Sequence, residues 1–382
     1  MIPLFLSLAM LNPDVQAESV ALIEAGLKRG DYPGAAFLAR QGDEEIAFVA
    51  RGWADLAEQR PILRDTVYQA MSMTKPIVVA AAMRLFERGL LDLDAPISRY
   101  LPSFATMRVQ DGDARRTSRT PTVRELMTHT SGIHPDNPAG LSDEQKRAMT
   151  LADYTELIAR EPLTAEPGTR VRYSGTGTTV LGRIVEVLSG KDLERALFDE
   201  VFLPLGMDET SFFFRPEWRG RLAQPVYREE GKWVALDENP ERPGARLANP
   251  AGGLYSTADD MADFIEAFAC GGTFRGLRWL KPETVGEMLR AQVKPQVAGQ
   301  EGTARWGLGF NLHVAPSPIA GVVGHEGAFG TSFWFHPQTG RSGVAMTQHM
   351  GRPATIRNEL AQLLALMAAS PMSGHDANRE SY

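Results

Sequence analysis

The order of hydrophobic patterns along this chain limits its fold more than any other feature. Short apolar runs typical of β-strands lie near both ends, at residues 35–40 and 45–51 and again from residue 306 onward. Between about residues 91 and 224 the pattern changes to short helices broken by Pro and Gly. Strands from both ends can share one sheet only if the ends meet in space. The sequence therefore predicts an α/β (α+β) domain made of the two termini, with an inserted all-helical domain.

The predicted boundaries follow from this change of pattern. Residues 1–90 and 225–382 are expected to form the discontinuous α/β domain, and residues 91–224 the helical domain. Amphipathic helices predicted at residues 15–29 and 354–369 would flank the sheet. Because ligands of two-domain proteins tend to bind between the domains, the active site is expected in that cleft.

The individual elements are predicted from periodicity and from turn residues. Two strands around residues 41–44 indicate a hairpin. Helical spacing occurs at residues 72–89, 123–129, 152–160, 178–188 and 192–202. Apolar and aromatic runs typical of antiparallel strands occur at residues 307–314, 321–324, 331–335 and 343–348.

Composition excludes several classes of partner. The formal net charge is −7 over 382 residues, and neither half carries a block of like charges, so we expect no nucleic acid as a partner. No stretch reaches the ~18 uninterrupted apolar residues of a membrane span, and we expect no membrane partner. The single cysteine, Cys270, excludes an internal disulfide. The sequence does not indicate an oligomeric state.

The amino-terminal segment allows two interpretations of localisation. Residues 1–11 are apolar, and Val15, Gln16 and Ala17 resemble a signal-peptide cleavage site. However, no Lys or Arg precedes the apolar run, and Pro13 is typical of a helix start. We therefore expect a cytoplasmic protein, with export as the alternative if the segment is a signal peptide.

The first candidate site is the S-x-x-K pattern formed by Ser72 and Lys75. Proline is tolerated only in the first turn of a helix, so Pro76 places both residues at a helix entrance. There the three-residue spacing brings both side chains onto one face, near backbone N–H groups that favour a developing negative charge. A lysine beside an apolar helix can lose its proton and act as a base. A serine helix cap followed by a surface lysine is the alternative interpretation.

Two further patterns add candidate residues. Tyr173 follows a Pro-Gly turn and could exchange protons with a leaving group, although a tyrosine in isolation is more often a half-buried core ring. His325, Gly327 and Ala328 follow a predicted strand. Glycine lets the backbone approach a substrate closely there, and an N–H from this segment could complete an oxyanion hole.

In this order the motifs resemble a known superfamily. Ser72-x-x-Lys75, Tyr173-x-Gly175 and His325-x-Gly327 are similar to the S-x-x-K, Y-x-N and K-T-G series of class C β-lactamases and D-Ala-D-Ala peptidases. The pattern most resembles family VIII carboxylesterases, the esterase branch, which often carry H-x-G or W-x-G in place of K-T-G. Three other stretches also resemble that family: residues 68–76, 126–132 and 249–256. The resemblance covers about residues 33–348 and implies a β-lactamase-like fold.

The resemblance implies a role for each matched residue. Ser72 would be the acylated nucleophile, Lys75 and Tyr173 the coupled base and acid, and the N–H groups of Ser72 and Ala328 the oxyanion hole. Gly175 stands where the family commonly has Asn, and His325 stands where β-lactamases have Lys. The second change weakens or removes a fixed cation for a substrate carboxylate. Both departures favour small carboxylic esters over β-lactams as substrates.

Other classes of function remain as alternatives. A D-amino-acid peptidase, an amidase or a β-lactamase shares the same motifs, and a non-catalytic binding module could retain the fold. A zinc site is not expected, because Phe329 stands where an H-E-x-x-H motif would supply its second ligand. We expect no metal and no cofactor. No G-x-S-x-G sequence occurs, which argues against an α/β-hydrolase.

Overall fold

The computed structural model describes residues 13–112, 114–138, 140–236, 242–300, 302–317 and 319–351. The apolar segment at residues 1–11 and the helix predicted at residues 354–369 lie outside the described residues. Within those ranges no helix has both the length and the apolar character needed to cross a membrane.

The amino-terminal part contains a helix, a hairpin and the helix that begins after the S-x-x-K serine. Its elements in chain order are α1 (Pro13–Arg29), β1 (Gly34–Gln41), β2 (Glu44–Asp55), β3 (Arg60–Pro61), β4 (Tyr68–Gln69) and α2 (Thr74–Glu87). β1 and β2 pair in antiparallel fashion across Gln41 and Glu44, so the predicted hairpin is confirmed. Gly89, with φ of 71°, follows the end of α2 and donates to Phe86 O, as expected for a helix stop.

The middle of the chain is rich in helices. Its elements are β5 (Arg108–Asp111), β6 (Ala114–Thr117), α3 (Val123–Met127), α4 (Asp143–Ala148), α5 (Leu151–Arg160), α6 (Gly175–Ser189), α7 (Leu193–Leu197), α8 (Leu203–Leu205), β7 (Val226–Glu229) and β8 (Lys232–Ala235). The expectation that residues 91–224 are all-helical is wrong, because β5 and β6 form an antiparallel hairpin there. All four residues of β6 are exposed, so no apolar alternation marked this strand.

The carboxy-terminal part supplies most of the sheet. Its elements are β9 (Tyr255–Ser256), α9 (Ala258–Ala269), β10 (Thr273–Phe274), β11 (Leu277–Arg278), α10 (Pro282–Leu289), β12 (Ala304–Trp306), β13 (Asn311–His313), β14 (Val323–Glu326), β15 (Ser332–His336) and β16 (Arg341–Met346). The strand predicted at residues 307–314 is shorter than expected, because only Asn311–His313 of this range forms β13. Gly307 N–H donates to Phe310 O and closes a turn between β12 and β13. Gly309 has φ of 79°, and a Cβ there would lie 2.9 Å from Val79 of α2, so this turn requires glycine.

The main sheet has eight strands in the order β12-β13-β14-β15-β16-β1-β2-β3. Every neighbouring pair is antiparallel, and β1 pairs with β16 from Ala36 opposite Met346 to Gln41 opposite Arg341. The sheet therefore joins the first strands of the chain to its last described ones. This confirms the predicted fold class, an antiparallel sheet flanked by helices.

Both faces of the sheet are covered. Because side chains alternate along a strand, Phe37 and Ala39 of β1 pack with α1 in one hydrophobic cluster, and Ala36 and Leu38 pack in a second cluster. The second cluster is the larger one and includes residues of α2, α5, α6 and α9. This arrangement explains why seven of the eight residues of β1 are buried.

Helix α2 lies inside the larger cluster and positions the candidate site. Ten consecutive residues, from Thr74 to Met83, are buried. The helix packs against α6 on one side and against the π-helical turn Phe198–Phe202 on another. A helix enclosed in this way holds its first turn, and the side chains at its entrance, in a fixed place.

Candidate active site

Ser72 lies in a short 3₁₀ turn, Met71–Met73, immediately before α2. Met71 has φ of 53°, a left-handed conformation that non-glycine residues seldom adopt outside constrained sites. The turn is held from two sides, because Ala70 N–H donates to Leu254 O and Thr331 Oγ1 donates to Ala70 O. Ser72 is therefore at the helix entrance, where the sequence predicted it.

Lys75 is buried next to this serine. Its side chain is 3% exposed overall, and Nζ donates to Ser72 Oγ (3.0 Å) and to the carbonyl oxygen of Ala251 (2.5 Å). Burial, and secondarily the positive charge of Lys146, lowers the pKa of Lys75 to about 7. Near neutral pH a large fraction of this amine is therefore uncharged and can accept a proton from the serine hydroxyl.

Tyr173 covers Lys75 from the side of α6. Lys75 Nζ lies 4.8 Å from the centre of the tyrosine ring, and the ring remains 44% exposed. The next residue, Ser174, caps α6 by accepting from Gly177 N–H. Ser174 N–H in turn donates to His129 Nδ1. The start of α6 therefore fixes the tyrosine between the reactive pair and solvent.

The segment after β14 packs closely against the turn that contains Ser72. A Cβ on Gly327 would lie 2.6 Å from Ala70 O and 2.0 Å from Thr331 Oγ1, so only glycine allows this approach. Gly327 N–H donates to Thr331 O, whereas the exposed Ala328 N–H donates to no acceptor within the described ranges. Ala328 therefore follows the glycine that contacts the serine turn, and its N–H is not used in the hydrogen bonds of the described residues.

His325 is brought to the same region. It is 3% exposed, and its ring centre lies 6.1 Å from those of Tyr173 and Trp306. Its Nδ1 lies 2.9 Å from Glu326 O. The structure therefore brings the candidate residues of three separate segments, 72–75, 173 and 325–328, into one region.

Two residues that the sequence analysis did not assign to the site contact it. His129 packs against Tyr173 with ring centres 4.6 Å apart. Burial first, and then the charges of Lys75 and His325, hold the pKa of His129 well below its usual value. A buried neutral imidazole here adds a wall to the site without adding charge.

Lys146 is the second of these residues. It lies on α4, and its Nζ donates to Asn137 Oδ1 (2.9 Å) and sits 5.0 Å from the centre of the Tyr154 ring. Burial lowers the pKa of Lys146 as well. None of the six residues of α4 is fully buried, so hydrophobic periodicity could not reveal that one of them influences the site.

The loop of residues 249–253 contains Ala251, whose carbonyl oxygen accepts the hydrogen bond from Lys75 Nζ. A Cβ on Gly252 would lie 3.3 Å from the Met71 carbonyl carbon, and a Cβ on Gly175 would lie 3.2 Å from Ala251 Cβ. A larger residue at position 175 would therefore push on Ala251, whose carbonyl binds Lys75. This close contact is a physical reason for glycine where related motifs have asparagine.

A cavity of about 550 Å³ opens next to Tyr173. Tyr173 and Trp306 line it together with Arg170, Arg172 and Gln300. Trp306 of β12 faces this cavity, whereas the nearby Phe310 is fully buried in the larger hydrophobic cluster. The open space thus leads from solvent to the tyrosine that covers Lys75.

The fold and the site together define a class. An antiparallel sheet, a buried helix that starts after an S-x-x-K serine, and a lysine bonded to that serine are the features of a β-lactamase-like serine hydrolase. The chain belongs to the Beta-lactamase family, whose family description matches residues 20–366. The resemblance noted from the motifs is thereby confirmed.

Individual relatives cover nearly the whole chain. Esterase EstB of Burkholderia gladioli is 30% identical over an alignment of 373 positions, which covers 88% of this chain and 92% of EstB. Penicillin-binding protein 4 of Amycolatopsis lactamdurans is 31% identical over an alignment of 325 positions, which covers 82% of this chain and 79% of that protein. The solved structure of EstCE1, described as a hydrolase with promiscuous acyltransferase activity, has a TM-score of 0.79 and 25% identity, and covers 92% of this chain and 99% of EstCE1.

Proposed function

We propose that this protein hydrolyses small carboxylic esters through an acyl-enzyme formed on Ser72. The observation that carries the proposal is the 3.0 Å hydrogen bond between Ser72 Oγ and the buried amine of Lys75, whose pKa is about 7. The likeness to EstB and EstCE1 over most of the chain supports ester hydrolysis in particular.

Acylation follows from the geometry of the site. Lys75, when uncharged, takes the Ser72 hydroxyl proton while Oγ attacks the ester carbonyl carbon. The carbonyl oxygen becomes negative and is stabilised by the N–H groups of Ser72 and Ala328. As the C–O bond to the alcohol breaks, Tyr173 gives its proton to the leaving oxygen and regains one from the Lys75 ammonium.

Deacylation repeats these steps with water. A water molecule loses a proton to the Lys75–Tyr173 pair and attacks the acyl carbon, and the bond to Ser72 Oγ breaks. Ser72 recovers its hydroxyl proton, and the carboxylic acid leaves. His325 and Gly327 support this chemistry by walling the site and by holding the Ala328 N–H near the serine turn.

Esters are favoured over β-lactams and peptides by two positions. Gly175 offers no side-chain amide to orient an amide substrate, and a larger residue there would displace Ala251 by a few tenths of an ångström. His325 replaces a fixed cation with an imidazole. A D-amino-acid peptidase, an amidase or a β-lactamase is the second candidate function, because Penicillin-binding protein 4 is 31% identical to this chain.

We also propose a two-domain organisation with the site between the parts. Residues 1–90 and 225–382 would form the sheet domain, and residues 91–224 the domain that contains α3 to α8. In support, Ser72 and His325 come from the sheet side, whereas Tyr173 precedes α6. The aromatic contact of Tyr173 with His325 crosses the proposed boundary.

The cytoplasm is the compartment that we propose. The alternative of signal-peptide cleavage after Ala17 would remove residues that the fold uses. Gln16 of α1 both donates to and accepts from the backbone of Phe48 in β2, and Val15 is buried in the cluster under α1. Cleavage at that point would therefore detach the first turn of α1 from the sheet.

The test is parallel steady-state turnover of a short p-nitrophenyl ester and of a chromogenic cephalosporin. We expect fast ester cleavage, little cephalosporin cleavage, and loss of nearly all turnover in Ser72→Ala. Lys75→Ala should be almost as damaging, because the members of a catalytic unit act non-additively. Ester activity in Ser72→Ala within tenfold of the parent would refute the assignment, and faster cephalosporin cleavage would favour the second candidate.

A further inference from the structure

The cavity beside Tyr173 has a cationic wall. Arg170 and Arg172 line it on the segment that leads into Tyr173, and buried Val171 separates them. In an extended segment, residues two apart point to the same side. Arg170 pairs with Ala298 in a β-bridge, so both arginines extend from one short edge beside the tyrosine.

This wall is held in place by backbone contacts. Val171 N–H donates to Ala298 O (2.7 Å), and Arg172 N–H donates to His129 O (2.8 Å). Gly299 approaches so closely that a Cβ there would lie 2.2 Å from Val171 O. The position of the two arginines relative to Tyr173 is therefore set by the fold rather than by a free loop.

The charges on this wall have no ion-pair partner among the described residues. Both arginine side chains are exposed, and neither forms an ion pair with another residue of the described ranges. Nearby arginines differ, since Arg119 pairs with Glu125 and Arg124 with Asp94. A chain of net charge −7 thus keeps two accessible guanidinium groups beside its reactive site. A guanidinium binds a carboxylate through two parallel hydrogen bonds.

We propose that Arg170 and Arg172 form a carboxylate-binding subsite for the alcohol portion of the ester, so that preferred substrates are esters of hydroxy acids. This inference rests on the proposed function. Tyr173 gives its proton to the leaving oxygen in that mechanism, so the alcohol portion extends past Tyr173 into the cavity. A carboxylate on the alcohol would then reach the arginines, whereas one on the acyl group would lie on the other side of the reacting carbon.

The test compares two esters that differ by one charge on the leaving group. We would measure kcat/KM for 4-acetoxybenzoate and for its methyl ester, each divided by its rate with hydroxide to remove intrinsic reactivity. The parent should prefer the carboxylate by about tenfold, a gain of the size of a charge-assisted hydrogen bond. The double variant Arg170→Gln/Arg172→Gln should bring this ratio to about twofold or less, and 0.5 M NaCl should lower it in the parent.

Two controls make the result specific. Arg115→Gln, at an exposed arginine of β6 that does not line the cavity, should keep the parent ratio. The 4-nitrophenyl monoester of glutaric acid carries its carboxylate on the acyl group and should show no dependence on the two arginines.

The outcomes separate the two proposals. A parent without preference, a ratio that the double variant leaves unchanged, or an equal loss on both esters would overturn the subsite while ester hydrolysis stands. If neither ester is cleaved in a manner that requires Ser72, the proposed function itself fails.

Discussion

At the scale of single residues, Lys75 illustrates how environment creates reactivity. The amine is enclosed by Ala251 O, Ser72 Oγ and the Tyr173 ring, and no carboxylate contributes to its pKa. Desolvation disfavours the charged form, and the nearby charge of Lys146 adds to this effect. A lysine that is an ordinary cation in water thereby becomes a base near neutral pH.

We expect kcat/KM to rise with pH through about 7, because Lys75 must lose its proton before it can act as a base. Removing the Lys146 charge by Lys146→Met would raise the pKa of Lys75, and the rising limb would move to higher pH. The measurement is the pH profile of kcat/KM for a neutral ester. Lys232→Met, at an exposed lysine of β8, is the control and should leave the limb in place.

If the limb did not move in Lys146→Met, or if it moved to lower pH, Lys146 would not be an electrostatic partner of Lys75. A fall in activity with an unchanged limb would indicate a purely structural role. None of these results would decide the role of Lys75 itself, which the Ser72→Ala and Lys75→Ala variants test.

At the scale of elements, the approach of β14 to the start of α2 builds the site. The two segments are distant in sequence, and they meet through Gly327, Ala70 and Thr331. Ala328, whose N–H we propose as an oxyanion donor, directly follows the glycine of this contact. Adding a methyl group at Gly327 therefore tests this geometry directly.

Gly327→Ala should lower kcat by about 100-fold, the loss expected when an oxyanion donor is displaced. Stability should fall by about 1–3 kcal/mol, because the added methyl group overlaps Ala70 O. Ester kinetics and urea unfolding measure the two effects. Gly286→Ala in α10 is the control, since its Cβ meets open space and alanine favours a helix. Parent-like kcat in Gly327→Ala would contradict the proposed role of this contact.

A second contact between elements is a buried ionic group between β1 and α9. Arg40 donates to Asp263 and Glu266, and all three side chains are nearly inaccessible. Burial raises the pKa of both carboxyl groups, although Arg40 opposes this. Arg40 is thus the buried partner of both carboxylates, and the more exposed Arg275 also pairs with Asp263.

Arg40→Met should destabilise the protein by about 3 kcal/mol at pH 8, because it leaves Asp263 and Glu266 buried with only the exposed Arg275 nearby to compensate them. Their folded-state pKa values would rise further, so folding would bind protons and the loss would shrink as pH falls toward 5.5. Urea unfolding at both pH values measures this. Arg51→Met, which breaks the exposed pair with Glu24, should change stability by about 0.5 kcal/mol or less. A loss that grows at low pH would contradict the explanation.

At the scale of the whole molecule, one hydrophobic cluster connects the proposed domains. Leu38 of β1, Phe264 of α9, Tyr154 of α5 and Val180 of α6 all belong to it. α9 packs on β1, β15 and β16 of the sheet, α2 packs on α6, and residues of all these elements belong to the cluster, so each part buries its apolar face together with the other. The proposed boundary therefore separates two parts of the chain that share one hydrophobic core.

We expect the full chain to unfold in one cooperative transition, because both parts share this cluster. Thermal unfolding followed by far-ultraviolet circular dichroism and by tryptophan fluorescence should give the same midpoint. Val180→Ala, in the helical part, should lower both midpoints equally. Two separated transitions would mean that the parts are stable independently.

The amino-acid sequence by itself determined the features that depend on near neighbours. The hairpin β1–β2, the helix after Ser72 and the S-x-x-K pair follow from periodicity, turn residues and Pro76, all of which act over a few positions. The joining of both ends in one sheet followed from the order of these patterns.

Only the tertiary structure decided which distant groups meet at the site. Ala251 O reaches Lys75 across 176 positions, and Lys146 acts from a short helix without a buried face. The turn at residues 307–310 and the exposed hairpin β5–β6 likewise had no periodic signal. Burial and long-range contact set the pKa of Lys75, and neither is encoded in local sequence.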